Sequence, residues 1–213
     1  MIILTKFKDL LIESLKDNKK LILAAYAIFL VSFIVTAALS GSAIENTLDS
    51  LSNSTDVGTI QNTSATELFI HNEAGGIQTY ITSIFFGISA IFSLVYNGVN
   101  MALLGGLLAN LMEKGWIEYI LNILPHGIFE ISALVIQSVA GILLFLFVWG
   151  FLKGIIKSDL NGFKEKASNS YEENKKKLIQ SLVLMIFGTI LLLIAAPIEA
   201  YVSVPLANFI LGI

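Results

Sequence analysis

The chain has no cysteine and no arginine, and only two histidines and three prolines. Without thiols it can form neither disulfides nor thiolate metal sites. Without guanidinium groups it lacks the bidentate reader of phosphates, and a net charge of −3 with a pI near 5.4 adds no attraction for polyanions. A nucleic-acid partner is therefore not expected. Charge of either sign is also scarce: 14% of the 213 residues, against about 25% in soluble domains. Apolar residues fill the gap, at 55% of the chain with a mean hydropathy of +0.80. They fall in long blocks rather than alternating patterns, which describes an integral membrane protein in a lipid bilayer.

Residues 1–20 place Ile3, Phe7, Leu10, Leu11, Ser14 and Leu15 near one helix face, with Lys6, Lys8, Glu13, Lys16 and Asp17 around the rest. This pattern predicts a cytoplasmic amphipathic helix lying on the membrane. Residues 21–39 are nineteen positions without a charge, long enough at about 1.5 Å per residue to cross a core of about 30 Å. They form the expected first span. The small residues at its end resemble a signal-peptidase site, but the long charged leader and long apolar core favour a retained anchor.

Residues 41–78 are rich in Ser, Thr and Asn, contain Glu45, Asp49, Asp56, Glu67 and Glu73, and have no lysine. They read as a polar extracytoplasmic segment, flexible through Asp49 to Ala65. Asn53-Ser54-Thr55 and Asn62-Thr63-Ser64 are glycosylation sequons of the kind such composition produces by chance. The membrane core is expected over 77–152, with two crossings joined by a turn near Asn97 and a third beginning at Pro125. Residues 153–177 hold Lys153, Lys157, Lys164, Lys166, Lys175, Lys176 and Lys177 and read as a cytoplasmic loop by the positive-inside rule. Residues 178–213 supply the last span and an apolar tail.

These assignments give an all-α, polytopic transmembrane helix bundle of about five spans, in the cell membrane with a cytoplasmic N-terminus. An alternative has three full spans plus a re-entrant helical hairpin carrying Pro125-His126-Gly127 at its tip. Trp116, Tyr119, Trp149 and Tyr201 lie near span ends, as interfacial anchors do. The glycines at Gly105-Gly106 and at Gly150 and Gly154 would admit a homo-oligomer.

Of the sixteen acidic residues, Glu130 and Glu199 lie in or at the ends of apolar blocks, and His126 precedes Glu130 by one helical turn. An ionisable group at a membrane helix centre costs at least about 2.5–3.5 kcal/mol and needs a partner. In the five-span arrangement the three meet at one depth. One histidine and two carboxylates suit zinc, iron or manganese with a position left for water, whereas a hydrogen-bonded network between helices is the plainer reading. Asn97 and Asn100, three apart beside Gly98, read as helix-packing amides on the opposite side from that cluster. His71 belongs to the polar segment and reads as solvated.

The stretches YNGVNMALLGG, PHGIFEISALVI and APIEAYVSVP, spread over residues 77–205, resemble the stage II sporulation protein M family of integral membrane proteins. The resemblance is most specific at 125–130 and at Ile198-Glu199-Ala200 with Pro205, and it implies that His126, Glu130 and Glu199 lie in family motifs. The family's namesake supports septal peptidoglycan degradation during engulfment by holding partners together at the membrane. The resemblance therefore implies a scaffold or accessory module with a membrane protein partner. The residues themselves leave two alternatives: a metal-dependent intramembrane hydrolase using His126, Glu130 and Glu199, and a transporter subunit with a broken helix near Pro125.

Overall fold

The computed structural model describes residues 2–52 and 64–212, and every regular element among them is helical. The order is α1 (Ile2–Asp17), α2 (Lys19–Leu39), α3 (Gly41–Ser52), α4 (Ala65–Thr82), α5 (Ile88–Leu111), α6 (Trp116–Lys157), α7 (Phe163–Ile198), a π-turn (Glu199–Ser203) and α8 (Val204–Leu211). Four stretches are long and apolar enough to cross a bilayer: Lys19–Leu39, Ile88–Leu111, Trp116–Lys157 and Phe163–Leu211. The protein is a multi-pass membrane protein with an all-α bundle.

Close approaches fix the helix directions. A Cβ on Gly98 would lie 2.7 Å from the Phe29 carbonyl, and one on Gly106 would meet Ile44, so α5 runs alongside α2 in the same sense. Gly105 faces Tyr119 whereas Gly87 faces Ile142 and Phe145, so α5 and α6 are antiparallel. Gly154 faces Ser170 and Gly188 faces Gln137, which makes α6 and α7 an antiparallel pair. Asn72 bonds Glu130, Gly76 faces Gln137 and Ser83 faces Gly141. Helix α4 therefore runs with α6. Rods α2, α4, α5, α6 and α7 alternate in direction.

The second rod is α4, whose polar residues keep it off the apolar count, and it is joined to α5 by a tight turn in which Phe86 and Gly87 take positive φ. The expected turn near Asn97 does not exist, because α5 continues through it from Ile88 to Leu111. Nor does α6 begin at Pro125. It starts at Trp116 and passes through the proline, which removes one bond, to the Leu121 carbonyl, and leaves the neighbouring bonds to carry the helix. That continuity excludes the re-entrant hairpin.

The 41–78 segment is likewise more ordered than its composition suggests. Helix α3 covers Gly41–Ser52, and α4 starts at Ala65 with a capping box in which the Ser64 hydroxyl accepts from the Glu67 amide and the Glu67 carboxylate accepts from the Ser64 amide. The Asn53 sequon, the first two residues of the Asn62 sequon and the rest of the stretch expected to be flexible lie outside the described residues. The Lys-rich 153–177 region is mostly helix, with a short turn between Lys157 and Phe163. At about 1.5 Å per residue, 42-residue α6 and 36-residue α7 reach about 63 and 54 Å, well beyond a core of about 30 Å. Each helix therefore exceeds the apolar core, and the lysines gather at their shared end, a helical hairpin.

The core joins Ala25 and Phe29 of α2, Leu94 of α5, Val135, Ile136, Val139, Ala140 and Leu143 of α6, and Leu184 of α7. Helix α1 docks across α7: Lys176 lies 2.7 Å from Glu13 and 2.8 Å from Asp17, and the Gln180 amide donates to Asp17 at 2.9 Å. The leader and the Lys-rich hairpin thus occupy one end of the bundle. Lys114, in the α5–α6 turn, occupies the other, where its ammonium donates to the Leu211 carbonyl.

Tyr119 is 4% exposed and donates its hydroxyl to the Met101 carbonyl at 2.9 Å, so it is a packing residue rather than an interfacial anchor. Gly105, Gly106, Gly150 and Gly154 face Tyr119, Ile44, Asn174 and Ser170 of the same chain. Those small positions are filled by side chains of the protein itself.

Candidate functional site

Near the end of the bundle opposite the Lys-rich hairpin, α6 presents Glu118, Asn122, His126 and Glu130 at four-residue spacing, a single helix face. Across from them α7 gives way to the π-turn. Pro197 and Pro205 flank it, and each lacks the amide that would continue a regular ladder. The extra residue per turn re-aims the side chains beyond it, and it points both Glu199 and Ser203 at α6.

His126, Glu130 and Glu199 come together, each offering a ligand atom, with all three atoms within 4.8 Å of one another. His126 is buried and both glutamates are partly buried. The His126 Nε2 lies 3.9 Å from Glu130 Oε2, and its Nδ1 lies 2.8 Å from Ser203 Oγ. The Ser203 hydroxyl also reaches the Ile198 carbonyl at 3.1 Å. In the tautomer with the proton on Nδ1, the Ser203 oxygen accepts that proton and the Nε2 lone pair faces the carboxylates, as a metal ligand requires.

Glu130 is held from a third element. The Asn72 amide of α4 donates to Glu130 Oε1 at 3.1 Å, leaving Oε2 turned to His126. The next residue, Glu73, accepts from Gln137 Nε2 at 3.0 Å and from Thr189 Oγ1 at 2.7 Å. Gln137 reaches it because Gly76 and Gly188 clear its way: a Cβ on Gly76 would sit 2.0 Å from Gln137 Oε1, and one on Gly188 would sit 2.5 Å from Gln137 Cγ.

The donor set fits a divalent cation. Bonds of about 2.0–2.2 Å in a tetrahedral array bring ligand atoms to about 3.3 Å apart, so each pair here needs to close by no more than about 1.5 Å. Two carboxylates in an apolar layer need counter-charge. One helical turn before His126, Asn122 Oδ1 is buried and accepts nothing, a further oxygen available to a cation or its water.

Asn97 and Asn100 stand apart from this cluster. Asn97 is exposed on α5 and donates back to the Ser93 carbonyl at 2.8 Å, while Asn100 is partly buried on the same helix. His71 is exposed on α4. The residues that sequence reasoning passed over are Asn72, Glu73, Gln137, Thr189 and Ser203. Gln137 carried a signal, because it follows Glu130 by two turns on the same face of an otherwise apolar run. Ser203 carried none, since only the π-turn brings it to His126.

The family model for stage II sporulation protein M matches residues 22–204, a range containing every residue of the cluster. An uncharacterised protein of Methanocaldococcus jannaschii is 36% identical over 129 residues, covering 61% of this chain and 65% of that relative. No solved structure matches the chain.

Proposed function

This chain belongs to the stage II sporulation protein M family, and we propose that it is an accessory module of a cell-membrane complex whose helices are pinned by a divalent cation. The observation carrying this reading is the convergence of His126, Glu130 and Glu199 within 4.8 Å. A cation there would tie α6 to the π-turn that ends α7, with zinc the natural candidate for one imidazole and two carboxylates. The family resemblance supports the accessory role, and the bundle supplies rigid surfaces for a membrane partner.

The positive-inside rule supports a cytoplasmic N-terminus, since the lysines of the leader and of the α6–α7 hairpin share one end of the bundle. The cation cluster then faces the outer half of the membrane.

A second reading, a metal-dependent hydrolase, is favoured by the ligand count: three protein ligands leave a place for a water that a bound cation would acidify. Glu130 or Glu199 would then hold or accept its proton.

Zinc titration of the detergent-purified protein tests the pinning. Ligand at 100 times its Kd adds about 2.7 kcal/mol to stability, so the melting temperature rises in wild type and not in Glu199→Gln. Chelation should also release the membrane proteins that co-purify with it. A melting temperature indifferent to zinc, or a complex indifferent to chelation, contradicts the proposal.

A further inference from the structure

Helix α4 reaches the cation cluster from outside the pair of elements that supply its ligands. From one turn it sends two adjacent side chains inward, Asn72 to Glu130 Oε1 at 3.1 Å and Glu73 to Gln137 and Thr189 at 3.0 and 2.7 Å. The second set anchors the helix to both α6 and α7. The first uses that anchorage to fix one ligand.

Glu130 is partly buried, and a glutamate side chain rotates about three bonds. The amide of Asn72 selects one rotamer by occupying Oε1, so that Oε2 faces His126 Nε2 at 3.9 Å. Groups that orient metal ligands in this way typically change metal affinity about 10–100-fold when removed. Helix α4 is also held away from the site, where Tyr80 packs against the core and its hydroxyl accepts from Ser181 at 3.0 Å. It carries two adjacent glycines, Gly75 and Gly76, and it ends in a turn with positive φ at Phe86 and Gly87. Gly75 has nothing within 4 Å of its Cβ position, and its residue is exposed.

We infer that Asn72 is a positioning residue for the cation site and that docking of α4 is thermodynamically coupled to cation binding. The inference rests on the cation reading of His126, Glu130 and Glu199. A cation that favours the Glu130 rotamer seen here also favours the α4 position that donates to it. Linkage requires the reverse as well: a seated α4 raises cation affinity by the same factor.

The test uses cobalt(II), whose visible spectrum reports ligand geometry, on the full chain in detergent, with hydrogen exchange over residues 65–82 as the second readout. Asn72→Leu should weaken cobalt binding about 10–100-fold and change its spectrum. Cobalt should slow exchange in α4 of wild type and have little effect on exchange there in Asn72→Leu. If the leucine variant fails to fold, Asn72→Ala removes the same donor without added bulk. Equal affinity and spectrum in the variant, or wild-type α4 exchange unmoved by cobalt, overturns the coupling while leaving the site intact. Wild type that takes up no cobalt overturns the cation reading itself, and the inference with it.

Discussion

The Nδ1 of His126 lies 2.8 Å from the Ser203 hydroxyl, a residue 77 positions later in the chain. A histidine on α6 is thereby oriented by the π-turn at the end of α7, and its Nε2 is turned to Glu130 at 3.9 Å. Ser203→Ala removes the acceptor of Nδ1–H, and zinc affinity should fall about 10–100-fold while the helix content by circular dichroism stays unchanged. Retained affinity would show that Ser203 does not set the tautomer.

Gln137 sits between two glycines, and this packing makes a graded prediction. Gly188→Ala puts a methyl 2.5 Å from Gln137 Cγ and Gly76→Ala puts one 2.0 Å from its Oε1. Each should displace the glutamine from Glu73 at a cost of about 1–3 kcal/mol, the range for overpacked cores. Gly75→Ala, with nothing within 4 Å, is the control and should cost nothing, stabilising by up to about 1 kcal/mol as alanine for glycine in a helix does. Thermal unfolding in one detergent compares all three.

At the other end, the Lys176 ammonium and the Gln180 amide hold the Asp17 carboxyl below its usual range. A carboxyl depressed in the folded state contributes stability that is complete above its unfolded pKa and is lost as pH falls through the folded one. Acidification below the ordinary carboxylate range should therefore loosen α1 from α7. A melting-temperature profile from neutral pH downward should show this loss in wild type and a smaller one in Asp17→Asn; superimposed profiles would assign the acid sensitivity elsewhere.

The absence of cysteine makes the orientation directly measurable, because any introduced thiol is unique. Lys6→Cys and Lys166→Cys should be labelled by a membrane-impermeant maleimide only after the cell is opened, whereas Lys114→Cys should be labelled from outside. Labelling of Lys114→Cys and Lys166→Cys from the same side would contradict the alternation of the five rods.

Much of this architecture is legible without coordinates because lipid imposes a simple rule: long uncharged runs become helices. Residues 21–39 and the run around Val135 needed nothing more. The second rod was hidden because its polar residues interrupt any apolar run. Helix α4 pairs Asn72, Glu73 and Tyr80 with partners on α6 and α7, so its inward polar face is satisfied within the bundle while Glu67, His71 and Gln78 stay exposed. Its start was nonetheless written in Ser64 and Glu67, a capping-box pair. Asn97 was misread as a turn for the converse reason: an amide that can bond back to Ser93 in its own helix does not need a turn. The His126–Glu130 pairing followed from spacing alone, but its meeting with Glu199 needed the directions of α6 and α7, and Asn72 and Ser203 needed the tertiary structure.

Metal content of detergent-purified wild type beside His126→Ala and Glu130→Gln, with folding matched by gel filtration, tests the central claim most directly. The account predicts close to one divalent cation per chain in wild type and loss in both variants. A well-folded wild type that holds no cation even after reconstitution with zinc would contradict it.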